Sequence, residues 1–245
     1  MAGHSKWANI KHKKAKEDAK RGKVFTRLIR ELTVAARHGG SDPDMNPRLR
    51  LAVSKAQAAN MPKDTLERAV KRGAGELEGQ VLSEIRYEGY GPGGVAVMVD
   101  CLSDNKNRTV GEVRHAFTKC GGNLGTAGSV AFQFSEVGVL TYTEGDEDEI
   151  MEAALEAGAE DIVAESGMIE VITTPKAYTE VYDAMVAGGF EPDDSEVTQR
   201  ADNLVPVSKD EAQQLLRLLD MLEELDDTQT VSTNADFPED FDDQS

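Results

Sequence analysis

Lys13, Lys16, Lys20, Lys23, Arg27 and Arg30 recur at alternating spacings of three and four residues. At about 100° per residue, that spacing keeps all six cations on one helical face. A row of ammonium and guanidinium groups suits phosphate contact rather than bond-breaking. Lys6, Lys11, Lys14 and Arg21 belong to the same stretch, whose first thirty residues hold ten Lys or Arg against two acids. The single tryptophan, Trp7, lies within it. Its ring has two readings: a staple that packs on the next helix, or a platform for a base or ribose with Lys6 and Lys11 near the phosphates.

Other chemistries find little support. His4, His12, His38 and His115 show no metal-binding or acid–base spacing. Cys101 and Cys120 stand nineteen positions apart without a CxxC motif and are expected to be free thiols. No Ser or Cys sits in a nucleophile elbow. The stretch GGNLGTAGS, residues 121–129, lacks both the Gly-Lys-Ser/Thr of a phosphate loop and the GxGxxG spacing. It reads as a tight loop. With Asn105, Lys106, Asn107 and Arg108 near it in the fold, its N–H groups remain a candidate cradle for a phosphate or an RNA backbone. The run GDEDE resembles a cation site only in charge, and acids in a first helical turn follow from the helix dipole. The expectation is therefore no enzyme, no cofactor, no metal and no small-molecule substrate.

Charge is divided along the chain. The whole carries a net −18, yet residues 1–79 hold 18 Lys and Arg against 9 Asp and Glu. The other 166 residues hold 9 against 36. A basic module on an acidic body directs a polyanion to one end and repels it from the other. No run approaches the about 18 apolar residues of a membrane span. The basic start has no apolar core of a signal peptide, and a cytoplasmic location is expected.

The elements that must position these cations follow from periodicity. Phe25, Leu28, Ile29, Leu32 and Ala36 mark one apolar helical face. The preceding residues 1–21 lack such a face and are expected to be mobile until a partner orders them. Asn46 and Pro47 open a second helix and Pro62 a third, closed by Gly73. Residues 95–101 read as a strand covered on both faces, and VAFQFS as a further strand of the same unit. From Gly138 the order is β-α-β-β-α-β, a ferredoxin-like unit. The amphipathic helix in SKDEAQQLLRLLDMLEELDD and the strand TQTVSTN would complete the earlier unit. The expected fold is α+β and multidomain: an N-terminal helical domain plus two α/β domains of ferredoxin-like type, one inserted in the other. The expected divisions are 1–79, 80–136 plus 205–235, and the insert 137–204. An acidic tail, 236–245, is expected to be disordered.

The runs MAGHSKWANIKHKKAKEDAKRGK, NPRLR, NMPKDTLERAVKRG, YEGYGPGG, LSDNKNRTVGEVRHAF, GGNLGTAGSVAFQF and MEAALEAGAED cover residues 1–161. Together they resemble the YebC family of bacterial proteins, whose mitochondrial relative is the translational activator of cytochrome c oxidase. The resemblance implies three domains and a non-enzymatic cytoplasmic regulator of gene expression. It implies either a DNA-binding transcriptional regulator or a ribosome-associated translation factor that eases synthesis of proline-rich sequences. Carried onto this chain, binding falls on His4, Ser5, Lys6 and Trp7 and on the cations from Lys11 to Arg30. Arg48, Arg50 and Lys63 join them, and Asn105, Lys106, Asn107 and Arg108 form a secondary contact. A Lys-dominated arm favours phosphate contact over base readout, and a flexible arm with one aromatic suits irregular RNA. Ribosomal RNA, and with it the ribosome, is therefore slightly favoured over DNA. The alternative is an acidic protein-interaction module with no direct nucleic-acid role.

Overall fold

A computed structural model describes residues 7, 10, 21–165 and 167–241. Three helices follow one another in its basic head: α1 (Arg21–Gly39), α2 (Pro47–Ala58) and α3 (Lys63–Gly73). Leu32, Ala35, Leu49, Ala56, Met61 and Ala69 are buried where they meet, with Phe25, Leu28 and Ile29 packed at the edge. Asn46 is the joint. Its Oδ1 accepts from the Leu49 N–H at 3.1 Å, capping α2, while its amide donates to the carbonyls of Ala35 and Gly40 at the end of α1. Pro47 fits the first turn because its missing N–H would have no helical partner. α1 and α3 touch backbone to backbone at Gly73, where a Cβ would lie 2.2 Å from the Thr33 carbonyl oxygen.

The body begins with an antiparallel hairpin, β1 (Ser83–Tyr90) and β2 (Ala96–Ser103), with Ile85 opposite Cys101. α4 (Lys106–Lys119) and the two-residue β3 (Asn123–Leu124) follow. The sheet is completed from far along the chain by α7 (Lys209–Glu223) and β9 (Thr228–Thr233), in the order β3-β1-β2-β9. Ser208 and Glu211 form a reciprocal capping box at the start of α7. Val97, Val99 and Cys101 of β2 face α4 and α7, packing with Phe117, Leu215 and Leu219. Ala96 and Met98 point the other way, into a second cluster with Val130, Phe134 and Ala201. β2 is thus covered on both faces, and its continuous apolar run follows from that.

Between β3 and α7 the chain builds a second sheet. β4 (Phe134–Tyr142), α5 (Glu147–Ala157), β5 (Asp161–Glu165), β6 (Met168–Thr173), α6 (Tyr178–Ala187) and β7 (Asp194–Ala201) follow in turn. The strands lie in the order β5-β6-β4-β7, every pair antiparallel. Asp146 caps α5 and Gly158, at φ 94°, ends it. After β7, β8 (Val205–Pro206) pairs in parallel with β10 (Ala235–Asp236).

Two sequence expectations need correction here. VAFQFS and the strand from Gly138 read as separate strands of different domains. They are one strand, β4, which starts after a 3-10 turn at Ala131–Gln133 and runs through Gly138. The second unit therefore begins near residue 134 rather than 137, and the first sheet takes β3 as its edge. Gly138 is not a break. It leaves room for the ring of Tyr178, since a Cβ there would lie 2.5 Å from Tyr178 Cδ2 and 2.3 Å from Thr173 Oγ1. Gly138→Ala is expected to destabilise this unit by about 2 kcal/mol through overpacking; the midpoint of urea unfolding measures it.

The second correction concerns the tail. Its acids predict disorder from residue 236, but Phe237 and Phe241 are 3% and 8% exposed in the core of the first sheet. Two apolar rings outweigh the acids over 236–241.

Candidate nucleic-acid interface

The expectations for His4, Ser5, Lys6, Lys11, Lys13, Lys14, Lys16 and Lys20, and for the mobility of that segment, lie outside the described residues, as does the Arg21 side chain. Trp7 and Ile10 are described. Trp7 stacks on Phe237, with ring centroids 5.9 Å apart and planes 12° apart. It is partly buried against the core of the first sheet. Ile10 is 4% exposed in the same core.

The cation stripe of α1 does not face outward. Lys23 Nζ donates to the Glu224 carbonyl at 3.0 Å, and Arg27 donates to the carbonyl of Glu223. These carbonyls close the C-terminal end of α7, where a helix offers no N–H donors of its own and favours positive charge. One turn on, Arg30 donates to the Leu102 carbonyl and to Asp227. The cause is geometric: a cation row at helical spacing fits a helix end as well as it fits phosphates.

Asp227 is the centre of this junction and is 1% exposed. It accepts from Arg30 of α1, from Arg108 Nη2 of α4 at 2.8 Å, from Ser103 Oγ at 3.0 Å and from Thr109 Oγ1 at 2.5 Å. Burial pushes its carboxyl up, but these hydrogen bonds outweigh that and hold it down at about 2. Hydrogen bonds that Arg108 donates to Asp227 and Asp104 raise it above the ordinary guanidinium value. Two stretches far apart in sequence, 23–30 and 105–108, are thereby brought together.

The remaining candidates divide. Arg48 pairs with Glu31 of α1 and Glu84 of β1, both at 2.6 Å, and ties head to body. Burial opposes its charge, and the bonds to Glu31 and Glu84 raise its pKa regardless. Arg50 donates to the Pro43 and Asp44 carbonyls in its own loop. Lys63 stands out in solvent, its side chain 87% exposed and 3.7 Å from Glu67. Asn105 caps α4 by accepting from the Arg108 N–H, and Lys106 and Asn107 are exposed on its first turn.

The glycine-rich loop is already occupied. Glu88, 5% exposed, reaches it from β1 and accepts from the N–H groups of Gly128 (2.7 Å), Val130 (2.8 Å) and Ala131 (2.7 Å). Burial would raise this carboxyl; the three backbone bonds take it below its ordinary value. Within the stretch 121–129 the Gly128 N–H thus holds the protein's own carboxylate, as do the N–H groups of Val130 and Ala131 just past its end. Sequence reasoning missed both Glu88 and Asp227, since nothing local separates either from the surrounding acids. Cys101 and Cys120 are free, and burial pushes the Cys101 thiol up to about 12. Among the described residues no helix is long and apolar enough to cross a membrane, and no group of His, Cys, Asp and Glu side chains could hold a metal ion.

A basic helical head fastened by ion pairs to an acidic body of two four-stranded sheets defines an α+β class. The chain matches the TACO1/YebC protein N-terminal domain over residues 5–76 and the TACO1/YebC second and third domain over residues 82–235. It belongs to the TACO1/YebC family. It is 71% identical over 242 residues to a protein of Dichelobacter nodosus, covering 98% of this chain and 99% of that one. It is 63% identical over 241 residues to one of Coxiella burnetii, with coverage of 98% and 99%. Both relatives bear the name probable transcriptional regulatory protein. A solved relative, the conserved hypothetical protein Aq1575 of Aquifex aeolicus, is 46% identical with a TM-score of 0.85, covering 91% of this chain and 93% of that one.

Proposed function

We propose that this protein is a nucleic-acid-binding regulator of gene expression that acts by binding rather than catalysis, with RNA, and ribosomal RNA in particular, as its target. The observation that carries the reading is the division of charge: a head and arm with 18 cations against 9 acids, set on a body in which residues 134–204 alone hold 19 acids and 2 cations. Such a body repels a long duplex lying along it and tolerates contact at one end. Reading a duplex by a helix in the major groove requires a free polar helix face. The polar face of α1 is taken up by the end of α7 and by Asp227. In this reading Lys6, Lys11, Lys13, Lys14, Lys16 and Lys20, with Lys63 and Lys106 as outer contacts, meet phosphates without sequence readout. A second reading, transcriptional regulation on DNA, has in its favour the names of the two bacterial relatives.

A salt titration of binding to a structured ribosomal RNA fragment and to duplex DNA of equal length tests the reading. Affinity should fall steeply with salt, with a log–log slope near 0.7 per phosphate on single-stranded regions and 0.9 on duplex. RNA should bind more tightly at every salt concentration. A flat response on both ligands would remove nucleic acid from the function; tighter duplex binding would favour the second reading.

A further inference from the structure

Trp7 meets the cluster that holds Phe237 and Phe241 on the body. Trp7 lies flat on Phe237, and Phe237 in turn meets Phe241 with ring centroids 5.6 Å apart. Ile10 is buried beside them. Farther along the same basic stretch, Lys23 and Arg27 hold the last carbonyls of α7, and Arg30 holds Asp227. Trp7 is thus fastened by apolar stacking, while α1 is held separately by cations on acceptors of the protein itself. Trp7 has the chemistry that stacks on bases.

We propose that the Trp7–Phe237 stack is a self-inhibiting closure: the free protein occupies Trp7 with Phe237, and a polyanion binds most tightly once Trp7 is released. The inference rests on the nucleic-acid reading above and adds its regulation. Phe237 stands in for a base. The closed form therefore competes with the ligand for the same ring. A ligand that prefers the open form has an apparent affinity reduced by the fraction of protein that is open. Weakening the closure must then tighten binding, and ligand must in turn loosen the closure, because the coupling is reciprocal.

Trp7 is the only tryptophan in the chain, so its emission reports the closure without a label. The probe is a fluorescein-labelled single-stranded RNA of 20 nucleotides, titrated into full-length protein. Trp7 emission is expected to change on binding, and Phe237→Leu, which keeps an apolar side chain but loses the stacked ring, should bind about 3- to 10-fold more tightly at an unchanged salt slope. Binding with unaltered Trp7 emission, or equal affinity of Phe237→Leu and the parent, would overturn the closure and leave the nucleic-acid reading standing. Absence of binding by both proteins would overturn the nucleic-acid reading and the closure with it. If Phe237→Leu loses its cooperative thermal transition, Trp7 emission of the parent protein decides alone.

Discussion

Asp227→Asn is expected to lower the stability of the protein by about 3 kcal/mol, because it leaves buried cationic hydrogen bonds without their counter-charge. The substitution preserves shape, so loss of packing is not the cause. Asp227 receives Arg30, Arg108, Ser103 and Thr109. An asparagine presents an NH2 donor where one of those donors arrives, and its oxygen carries no charge for the two guanidinium groups. The Arg30 side chain is 17% exposed and cannot turn fully to water. The pH dependence has a defined sign. A carboxyl held at about 2 rather than its ordinary 3.8 gives up its proton more readily folded than unfolded. It therefore contributes stability, about 2 kcal/mol by linkage, that is fully present above about pH 5. That contribution is lost as pH falls through 4 towards 2. Urea unfolding of parent and variant at pH 7 and pH 3 measures both effects. The gap between them should narrow at pH 3; a constant gap would show that the charge of Asp227 contributes nothing and that the misplaced amide donor accounts for the loss.

Replacing Lys6, Lys11, Lys13, Lys14, Lys16 and Lys20 together by Gln is expected to weaken RNA binding about 100-fold or more near physiological salt. It should also flatten the salt slope by up to about 4, if each lysine neutralises one phosphate of a single strand. Substitution is preferable to removing the arm. Ile10 is buried in the core of the first sheet and Trp7 is stacked on Phe237, so deleting residues 1–21 removes packing as well as charge. The lysine-to-glutamine protein should keep its thermal transition within a few degrees of the parent. Electrophoretic mobility shifts or fluorescence anisotropy at several salt concentrations give the slope. An unchanged slope would place the phosphate contacts on cations elsewhere, such as Lys63 and Lys106.

Local signals in the sequence carry far. The apolar spacing of Leu28, Leu32 and Ala36, the Asn46–Pro47 start of α2 and the Asp146 and Gly158 limits of α5 each depend on neighbours within a few residues. The structure places helices at those positions. The return of α7 and β9 to the first sheet is legible because an unfinished unit needs a partner for its open edge. What local signals miss is longer in range. Arg30 finds Asp227 across 197 positions, and Glu88 finds Ala131 across 43; no periodicity encodes such pairs. Gly138 reads as a boundary because glycine weakens strands, whereas in the fold it admits the Tyr178 ring. Phe237 and Phe241 are hidden among acids, whose average masks two deeply buried side chains. For the interface, the clustering of cations is plain, but their direction is not. A stripe at helical spacing has the same appearance whether it meets phosphates or the carboxyl end of another helix.

Crosslinking the protein to nucleic acid in living cells, followed by sequencing of what is bound, decides the function most directly. A ribosomal RNA target requires enrichment of ribosomal RNA, with crosslinked peptides falling in the N-terminal arm. Enrichment of promoter DNA, with ribosomal RNA at background, would contradict it.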